Sequence, residues 1–298
     1  MTLSRMAVLQ PFGFLAIEEV EIPAPKGHQV AVEMFAAAIT PADVDLLSRS
    51  DAPDWQPLVP GLEGAGIVTA IGEAVTRVRI GDQVVIGATP DGAERPDRPV
   101  STWTTNALVD EQYVAPFPRD AETDRDSLAL IGATGILAAT VGMQVVESGA
   151  DEPVVVVGGG GLALATIAAL RAAGATHIIA AAPAYAQAAA EAAGASLCLA
   201  ADADLAATGA RRGLDSREGN GRNPGTLDPM TRWTDTPAQP IDRDRAIAVL
   251  TEWMAAGRFS PSAAIGKRYT IEQINEAVMD MESGRIAGSG LVVVEPLK

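Results

Sequence analysis

One segment constrains the fold of this chain more than any other, the run from Val154 to Ala181. Four β-branched residues, Val154–Val157, lead directly into four glycines, Gly158–Gly161. An alanine- and leucine-rich segment with helical spacing follows, and a second short apolar run begins after His177. This order predicts a strand, a tight turn, a helix and a second strand, which is the opening βαβ unit of a parallel sheet.

The spacing of the glycines adds a functional expectation. Gly158, Gly160 and Ala163 form the pattern G-x-G-x-x-A, in which the glycines permit a sharp turn and close approach of a pyrophosphate, and the alanine permits close helix packing. Peptide N–H groups at the start of the helix would face the phosphates. The sequence therefore predicts a dinucleotide site at Gly158, Gly160, Gly161, Leu162 and Ala163; the alternative is a glycine-rich turn with a structural role only.

The residues after the second predicted strand leave the present use of this site open. A dinucleotide site usually carries an acid there for the ribose hydroxyls, or an arginine nearby for a 2′-phosphate. The chain has AAAPAY at Ala180–Tyr185, with neither charge. We expect a turn that descends from a nucleotide site, with binding of NADP(H) or NAD(H) either retained or lost.

Composition limits the ligands and the compartment. With 298 residues, 48% of them apolar, the chain can bury the core of one large or two moderate domains. A net charge of −16 disfavours nucleic acid and anionic membranes as partners and leaves small molecules. The single cysteine, Cys198, is expected to be a small buried residue in a reducing, cytoplasmic compartment.

Two uncharged stretches, 128–146 and 153–170, are almost long enough to cross a bilayer. Both are interrupted by glycines and rich in alanine, and the second contains the βα turn described above. We interpret both as the buried core of a soluble protein. The N-terminal segment lacks the charged, apolar and small-residue zones of a signal peptide.

The first part of the chain favours a small, strongly bent β-barrel. Residues 6–36 alternate as half-buried strands do. Short apolar runs between Val59 and Gly87 alternate with glycine turns. His28 is expected to be a solvated loop residue, and residues 88–102 a solvated connection.

Four segments carry recognisable motifs. They are PGLEGAGIV at Pro60–Val68, TPAD at Thr40–Asp43, the turn Gly132–Thr134, and the helix and glycine turn of Tyr269–Gly288. Together they resemble the medium-chain dehydrogenase/reductase superfamily, and within it the zinc-free quinone oxidoreductase-like branch. The family's N-P-x-D segment has threonine in place of asparagine here.

The resemblance implies an α/β fold of two domains. A GroES-like bent β-barrel catalytic domain would occupy residues 1–119 and 259–298. A shortened Rossmann-like parallel-sheet domain would occupy residues 120–258.

The resemblance also assigns candidate catalytic residues. Thr40, Asp43, Glu63 and Thr134 would face the substrate pocket, with Thr134 towards the nicotinamide. Each has a structural alternative from the residues themselves. Asp43 and Glu63 can cap or brace backbone at the barrel turns, and Thr40 can close the turn before Pro41.

Two replacements bear on metal binding. Zinc-dependent members of the family have cysteine at the position of Thr40 and histidine at the position of Leu62. Neither residue present here offers a thiolate or an imidazole, and one cysteine cannot build a structural zinc site. The resemblance therefore implies a protein without zinc.

The nucleotide domain is predicted to be truncated. After a third strand at Ser196–Ala200 the family would add three more strands, whereas residues 206–240 have the composition of a polar linker. The loss of half of the sheet would expose the edge of Val154–Val157, which invites association. Either residues 206–240 or another subunit, for example in a homodimer, is expected to cover that edge.

Three functions are consistent with this sequence. The first is a zinc-independent NAD(P)H-dependent oxidoreductase acting on a quinone, an enone or another carbonyl. The second is a cofactor-independent enzyme on the same fold, an isomerase, cyclase or lyase of secondary metabolism. The third is a non-catalytic partner subunit.

Overall fold

The computed structural model describes residues 2–11, 13–48, 58–87, 100–119, 124–147, 151–216, 231–233, 242–284 and 286–294. The chain divides into two compact units. The barrel unit comprises Met1–Ala133, Lys267–Gly284 and Gly290–Lys298, and the sheet unit comprises Thr134–Gly266 and Arg285–Ser289.

Strands and helices follow in an order typical of an α/β protein. The first part contains β1 (Thr2–Leu9), β2 (Leu15–Ile22), β3 (Gln29–Ile39), α1 (Pro41–Ser48), β4 (Gly64–Ile71), β5 (Gln83–Ile86), β6 (Asn106–Asp110) and β7 (Val114–Pro116). The middle contains α2 (Ile136–Glu147), β8 (Val154–Val157), α3 (Gly161–Ala173), β9 (Ile178–Ala182), α4 (Ala184–Ala193), β10 (Leu197–Ala200), β11 (Arg212–Asp215), β12 (Thr231–Trp233) and α5 (Arg243–Ala255). The last part contains β13 (Ile265–Thr270), α6 (Ile274–Glu282) and β14 (Ser289–Val293).

The barrel unit is built around β3. Seven strands form one sheet in the order β13-β14-β3-β4-β5-β7, with β6 also paired to β3. The register of β3 on β4 shifts between Ala31 and Val32 and again between Met34 and Ala36, and such irregularities bend a sheet. A Cβ at Gly66 would lie 2.2 Å from the Glu33 carbonyl oxygen, so the strands approach too closely for any larger residue. The bent barrel is confirmed.

The sheet unit contains the predicted βαβ unit. β8 pairs in parallel with β9, with Val154 opposite Ile178, and α3 connects the two strands. Gly174 ends α3 with φ at +107°, a conformation that glycine adopts without strain. The parallel, Rossmann-like sheet is confirmed.

The prediction of a strand-free linker at 206–240 is wrong in part. Arg212–Asp215 forms β11 and Thr231–Trp233 forms β12, so the described sheet has five strands rather than three, in the order β10-β9-β8-β11-β12. β11 has only one large apolar residue, Leu214, and carries no strand pattern in the sequence. It is a strand because the edge of β8 supplies backbone partners, with Arg212 opposite Val154. Residues 217–230 and 234–241 lie outside the described residues.

The pairing of β11 with β8 also covers the sheet edge that the sequence analysis expects to be open. β11 lies along the whole of Val154–Val157. Of the two expected ways to cover that edge, the segment 206–240 is the one that the structure contains. A second subunit is not required at β8.

The longest apolar segment is a continuous helical run. It begins as a 3₁₀ turn at Arg125–Leu130, passes through a π-helical turn at Ile131–Gly135 and continues as α2. By length and composition residues 125–147 would suffice to cross a membrane, but 78% of the most apolar window is buried inside the protein. This agrees with the interpretation as a core segment.

Two smaller expectations need correction. Cys198 is half-buried on the outermost strand β10 rather than fully buried, because no strand of the described residues covers that edge. His28 lies in an exposed turn as expected, yet its Nδ1 is 2.6 Å from Oε1 of the buried Glu111. Most of the expected loop 88–102, residues 88–99, lies outside the described residues.

Candidate functional site

Thr40 and Asp43 meet where β3 passes into α1. Oδ2 of Asp43 accepts hydrogen bonds from the Thr40 backbone N–H at 2.9 Å and from the Thr40 hydroxyl at 2.7 Å. The Thr40 hydroxyl oxygen in turn lies 3.4 Å from the Asp43 backbone nitrogen. The reciprocal backbone contacts are those of a capping box, so the structural alternative holds for both residues. The hydroxyl-to-carboxyl hydrogen bond is additional to that motif.

Asp43 is a buried acid. Its side chain has no solvent exposure, and Oδ1 makes no well-formed hydrogen bond to any residue the structure describes. Burial raises the pKa of Asp43 from an ordinary 3.8 to about 7, although the hydrogen bonds from Thr40 act in the opposite direction. The charge of Glu63 raises it further, and the backbone N–H of Leu62 lowers it slightly. Asp43 can therefore take up or release a proton near neutral pH.

Glu63 joins three parts of the barrel unit. Its side chain is 1% exposed, and Oε2 accepts a hydrogen bond of 3.0 Å from the backbone N–H of Ala133. Its own carbonyl accepts from the Ala38 N–H at 3.1 Å and from the Thr102 hydroxyl at 3.0 Å. Glu63 thus braces the backbone, as its structural alternative states, and places a negative charge where it acts on Asp43.

Thr134 lies in the π-helical turn Ile131–Gly135 and is 8% exposed. Such turns are rare and occur frequently at functional sites. Two residues earlier, a Cβ on Gly132 would stand 1.9 Å from the Ile86 carbonyl oxygen, which only glycine avoids. Thr134 belongs to the sheet unit, whereas Thr40, Asp43 and Glu63 belong to the barrel unit.

The glycine turn is shaped by its neighbours. Gly158 has φ at +124°, and a Cβ there would lie 2.3 Å from the Ser216 hydroxyl oxygen. A Cβ on Gly159 would contact Ala186, and one on Gly161 would lie 1.9 Å from the Ser289 hydroxyl oxygen. These three glycines are required by packing.

Gly160 differs from the other three glycines. A Cβ there would have no atom within 4 Å among the described residues. Gly160 is the N-cap of α3, with φ at −82°, and among the described residues no side chain caps the helix. An uncapped helix N-terminus beside an open glycine is an arrangement that can bind anions.

The strand order places this turn at a topological switch point. From β8 the chain passes to β9 and β10 on one side, then returns to β11 and β12 on the other. Ligands of parallel α/β sheets bind at the carboxyl ends of the strands at this point. Gly158 follows β8, and Ser216 follows β11, bound to the Val157 carbonyl by its N–H at 2.9 Å and its hydroxyl at 2.8 Å. A sheet that ended with β10, as the sequence predicts, would have no strand on the second side of β8 and therefore no switch point. The sequence has no pattern that indicates β11.

Ser216 and Ser289 are the residues of this site that sequence reasoning missed. Ser216 follows a strand with one large apolar side chain, so periodicity gives no signal for it. Ser289 follows Gly288, whose N–H donates to the Gly159 carbonyl at 2.8 Å. The run of glycines and small residues at 284–290 was a signal that a close approach occurs there.

Comparison with known proteins agrees with this geometry. The model of the alcohol dehydrogenase GroES-like domain family matches residues 26–119. A trans-enoyl reductase of Penicillium sp is 31% identical over 188 residues, which cover 61% of this chain and 52% of that protein. The chain thus spans about half the length of that relative.

Solved structures show the same fold over the chain. The alcohol dehydrogenase zinc-binding domain protein from Burkholderia ambifaria has a TM-score of 0.80 at 19% identity, covering 99% of both chains. A short chain alcohol dehydrogenase from Escherichia coli, solved with NADH, has a TM-score of 0.76 at 14% identity, covering 98% of this chain and all of that one. Residues 26–119 therefore match the alcohol dehydrogenase GroES-like domain family, and the comparisons support the resemblance of the chain to the medium-chain dehydrogenase/reductase superfamily.

Proposed function

We propose that this protein is a zinc-independent reductase that uses a nicotinamide dinucleotide to reduce a quinone, an enone or another carbonyl compound. The observation that carries the proposal is the uncapped N-terminus of α3 beside the open Gly160, at the switch point of the parallel sheet. Its partner is a small molecule, and its proposed location is the reducing cytoplasm.

The residues at the turn fit a dinucleotide. The N–H groups of Gly161, Leu162 and Ala163 begin α3 and would bind the pyrophosphate, with the helix dipole adding to the attraction. Gly160 leaves room for the phosphate oxygens. Ala182 ends β9 and Pro183 follows it, at the position where an acid usually binds the ribose, so we expect weaker binding than in a complete site.

The chemistry then divides between cofactor and protein. A bound reduced nicotinamide supplies the hydride. The protein must orient the acceptor and stabilise the negative charge that develops on its oxygen. By family resemblance, the hydroxyl groups of Thr40 and Thr134 are proposed to orient the acceptor and stabilise this charge. Within the barrel unit, Asp43 supports Thr40 through its hydrogen bonds, and Glu63 acts on Asp43 through its charge.

The donor set does not fit a catalytic zinc. Thr40 already donates its hydroxyl hydrogen to Asp43, and Leu62 has no donor atom at the position where zinc-dependent members have histidine. In the part of the chain that the structure describes, no three His, Cys, Asp or Glu side chains come together as a metal site would require. The proposed reduction therefore uses no zinc.

The named activities of relatives support the choice of acceptor. The similar protein of Penicillium is a trans-enoyl reductase, which favours a conjugated carbonyl. The E. coli protein was solved with NADH, which supports a nicotinamide cofactor.

Substitution of Gly160 by alanine tests the proposal. The added methyl would contact no atom of the residues that the structure describes, so the unfolding midpoint should stay close to that of the wild type. The same methyl would occupy the phosphate position, so the affinity for NADPH and NADH should fall about tenfold or more. Titration of cofactor fluorescence measures the affinity, and thermal denaturation measures the stability.

Ala192→Ser is the matched control, because it adds one heavy atom at an exposed position near the end of helix α4, far along the chain from the ribose position after β9. It should change neither affinity nor stability. Should the wild type bind neither cofactor, the reductase proposal fails and the cofactor-independent enzyme becomes the better interpretation, as the apolar end of β9 would then suggest.

A further inference from the structure

We propose that Asp43 and Thr40 form a two-residue proton relay that supplies the proton of the reduction, with Thr40 contacting the acceptor oxygen and Asp43 acting through Thr40. This inference rests on the proposed function, because a relay of this kind needs a hydride acceptor beside it. Asp43 is accordingly a positioning and proton-holding residue, and Thr40 the catalytic one.

The geometry provides the path for the proton. The Thr40 hydroxyl oxygen and Asp43 Oδ2 are 2.7 Å apart, a distance across which a proton can be donated in either direction. Asp43 is wholly buried, whereas Thr40 is half-buried at the end of β3. Among the contacts that the structure gives Asp43, the Thr40 hydroxyl can exchange a proton with its carboxyl and belongs to a partly exposed residue.

The direction of the hydrogen bond between Thr40 and Asp43 depends on whether Asp43 is protonated. When Asp43 is ionised, Thr40 donates to Oδ2 and has no hydrogen left for a ligand. When Oδ2 carries a proton, it donates to the Thr40 oxygen, and the Thr40 hydrogen is free to point outward. The backbone N–H of Thr40, 2.9 Å from Oδ2, fits either state and holds the carboxyl in place.

The surrounding charges favour the neutral acid. Glu63 faces Asp43 within the barrel unit and opposes its ionisation. Helix α6 packs against α1 and carries Glu276 and Asp280, both of which are bound to the ammonium of Lys267 at 2.8 Å. Burial is the main cause that raises the pKa of Asp43 to about 7, and the charge of Glu63 raises it further. The carboxyl can therefore carry a proton at neutral pH.

The step balances for a conjugated ketone. A reduced nicotinamide, when bound, would supply the hydride that forms a C–H bond at the β-carbon. The C=C electron pair would then form the double bond between the α-carbon and the carbonyl carbon, and the C=O π pair would move onto the carbonyl oxygen. That oxygen takes the Thr40 hydroxyl proton, while the Asp43 Oδ2–H bond breaks and its proton passes to the Thr40 oxygen. The ketone gains two electrons as its enol, the nicotinamide loses two, and Asp43 is left as a carboxylate that solvent protonates again.

A purely structural role predicts something different. A capping box requires only that Asp43 accept from the Thr40 N–H and that Thr40 accept from the Asp43 N–H. An asparagine in place of Asp43 would still serve as that acceptor through its amide oxygen. Asp43→Asn therefore preserves the cap and removes the proton, which separates the two roles.

The experiment compares Asp43→Asn, Thr40→Val and Thr40→Ser with the wild type, using NADPH and 2-cyclohexenone from about pH 5 to about pH 9. Asp45→Asn is the matched control, because Asp45 is an exposed acid on the same helix α1. We expect kcat of the wild type and of Asp45→Asn to fall as the pH rises through about 7, since the acid must be protonated.

Asp43→Asn and Thr40→Val should each lower kcat about 100-fold or more and lose that decline, with the affinity for NADPH unchanged. Thr40→Ser keeps the hydroxyl and should stay within about tenfold of the wild type. The relay is overturned if Asp43→Asn keeps the kcat and the pH profile of Asp45→Asn.

A second readout does not depend on turnover. Infrared spectra should show a protonated carboxyl that titrates near pH 7 in the wild type and in Asp45→Asn and is missing from Asp43→Asn. If the wild type lacks this carboxyl signal, the relay is overturned and the proposed function is unaffected. A wild type that shows this carboxyl but neither binds cofactor nor reduces any acceptor overturns the proposed function, and the relay with it.

Discussion

Trp103 shows how single residues hold the barrel unit together. Its side chain is fully buried, and its indole N–H donates to the Ala38 carbonyl on β3 at 2.9 Å. Trp103→Phe removes that hydrogen bond and leaves a void where the indole was, so we expect a loss of about 2 to 3 kcal/mol in the free energy of unfolding. Urea denaturation measures the loss.

The control for this substitution is Phe14→Leu, because Phe14 is an aromatic residue that is 50% exposed. Its change in stability should stay within about 0.5 kcal/mol. A Trp103→Phe protein as stable as Phe14→Leu would mean that neither the hydrogen bond nor the packing of the indole contributes to the fold.

At the scale of elements, β11 tests whether residues 206–240 belong to the sheet. Leu214 is 1% exposed and lies opposite Val156 of β8. Leu214→Ala should lower the free energy of unfolding by about 2 to 5 kcal/mol, because it empties a buried position on the strand that covers β8. A linker residue would show almost no effect.

Leu197→Ala is the comparison, since Leu197 is a strand leucine that is 48% exposed on β10. Leu197→Ala should lower the free energy of unfolding by less than about 1 kcal/mol. Both proteins are measured by urea denaturation under the same conditions, and equal losses would show that β11 is not packed as described.

β11 also shows why sequence reasoning reached some elements and not others. α3 and β8 were predicted because their patterns are complete in their own residues, with four valines, four glycines and a helical spacing. The capping box of Thr270 and Gln273, which begins the turn before α6, is likewise complete in its own residues, T-x-x-Q. RGLD at 212–215 carries no such pattern, and its strand depends on an edge that is distant in the sequence.

The residues of the candidate site also divide into properties that their own sequence pattern indicates and properties that depend on distant parts of the chain. Gly158 and Gly160 were identified by spacing alone, but only the structure distinguishes the packing role of Gly158 from the open space beside Gly160. Likewise, the sequence placed Thr40 and Asp43 three residues apart and could not indicate that Asp43 is wholly buried. Burial is a property of the assembled barrel, and it determines the chemistry of the acid.

At the scale of the whole molecule, Asp43 links folding stability to pH. In the unfolded chain its pKa returns to an ordinary 3.8, whereas in the folded protein it is about 7, mainly because of burial. Between these values the folded protein holds a proton that the unfolded chain has released. This contribution to stability is therefore complete below about pH 4, declines as the pH rises, and is lost above about pH 7.

Asp43→Asn should remove this dependence, because the amide does not titrate. The difference in unfolding free energy between Asp43→Asn and the wild type should move in favour of the variant by about 4 kcal/mol between pH 4 and pH 8, the free energy that corresponds to the shift in pKa. Denaturant unfolding at a series of pH values measures this difference. Asp45→Asn, which changes an exposed acid of the same helix, should show no comparable trend. A constant difference for Asp43→Asn across the range would mean that Asp43 is ionised in the folded barrel, and the neutral acid on which the relay depends would not exist.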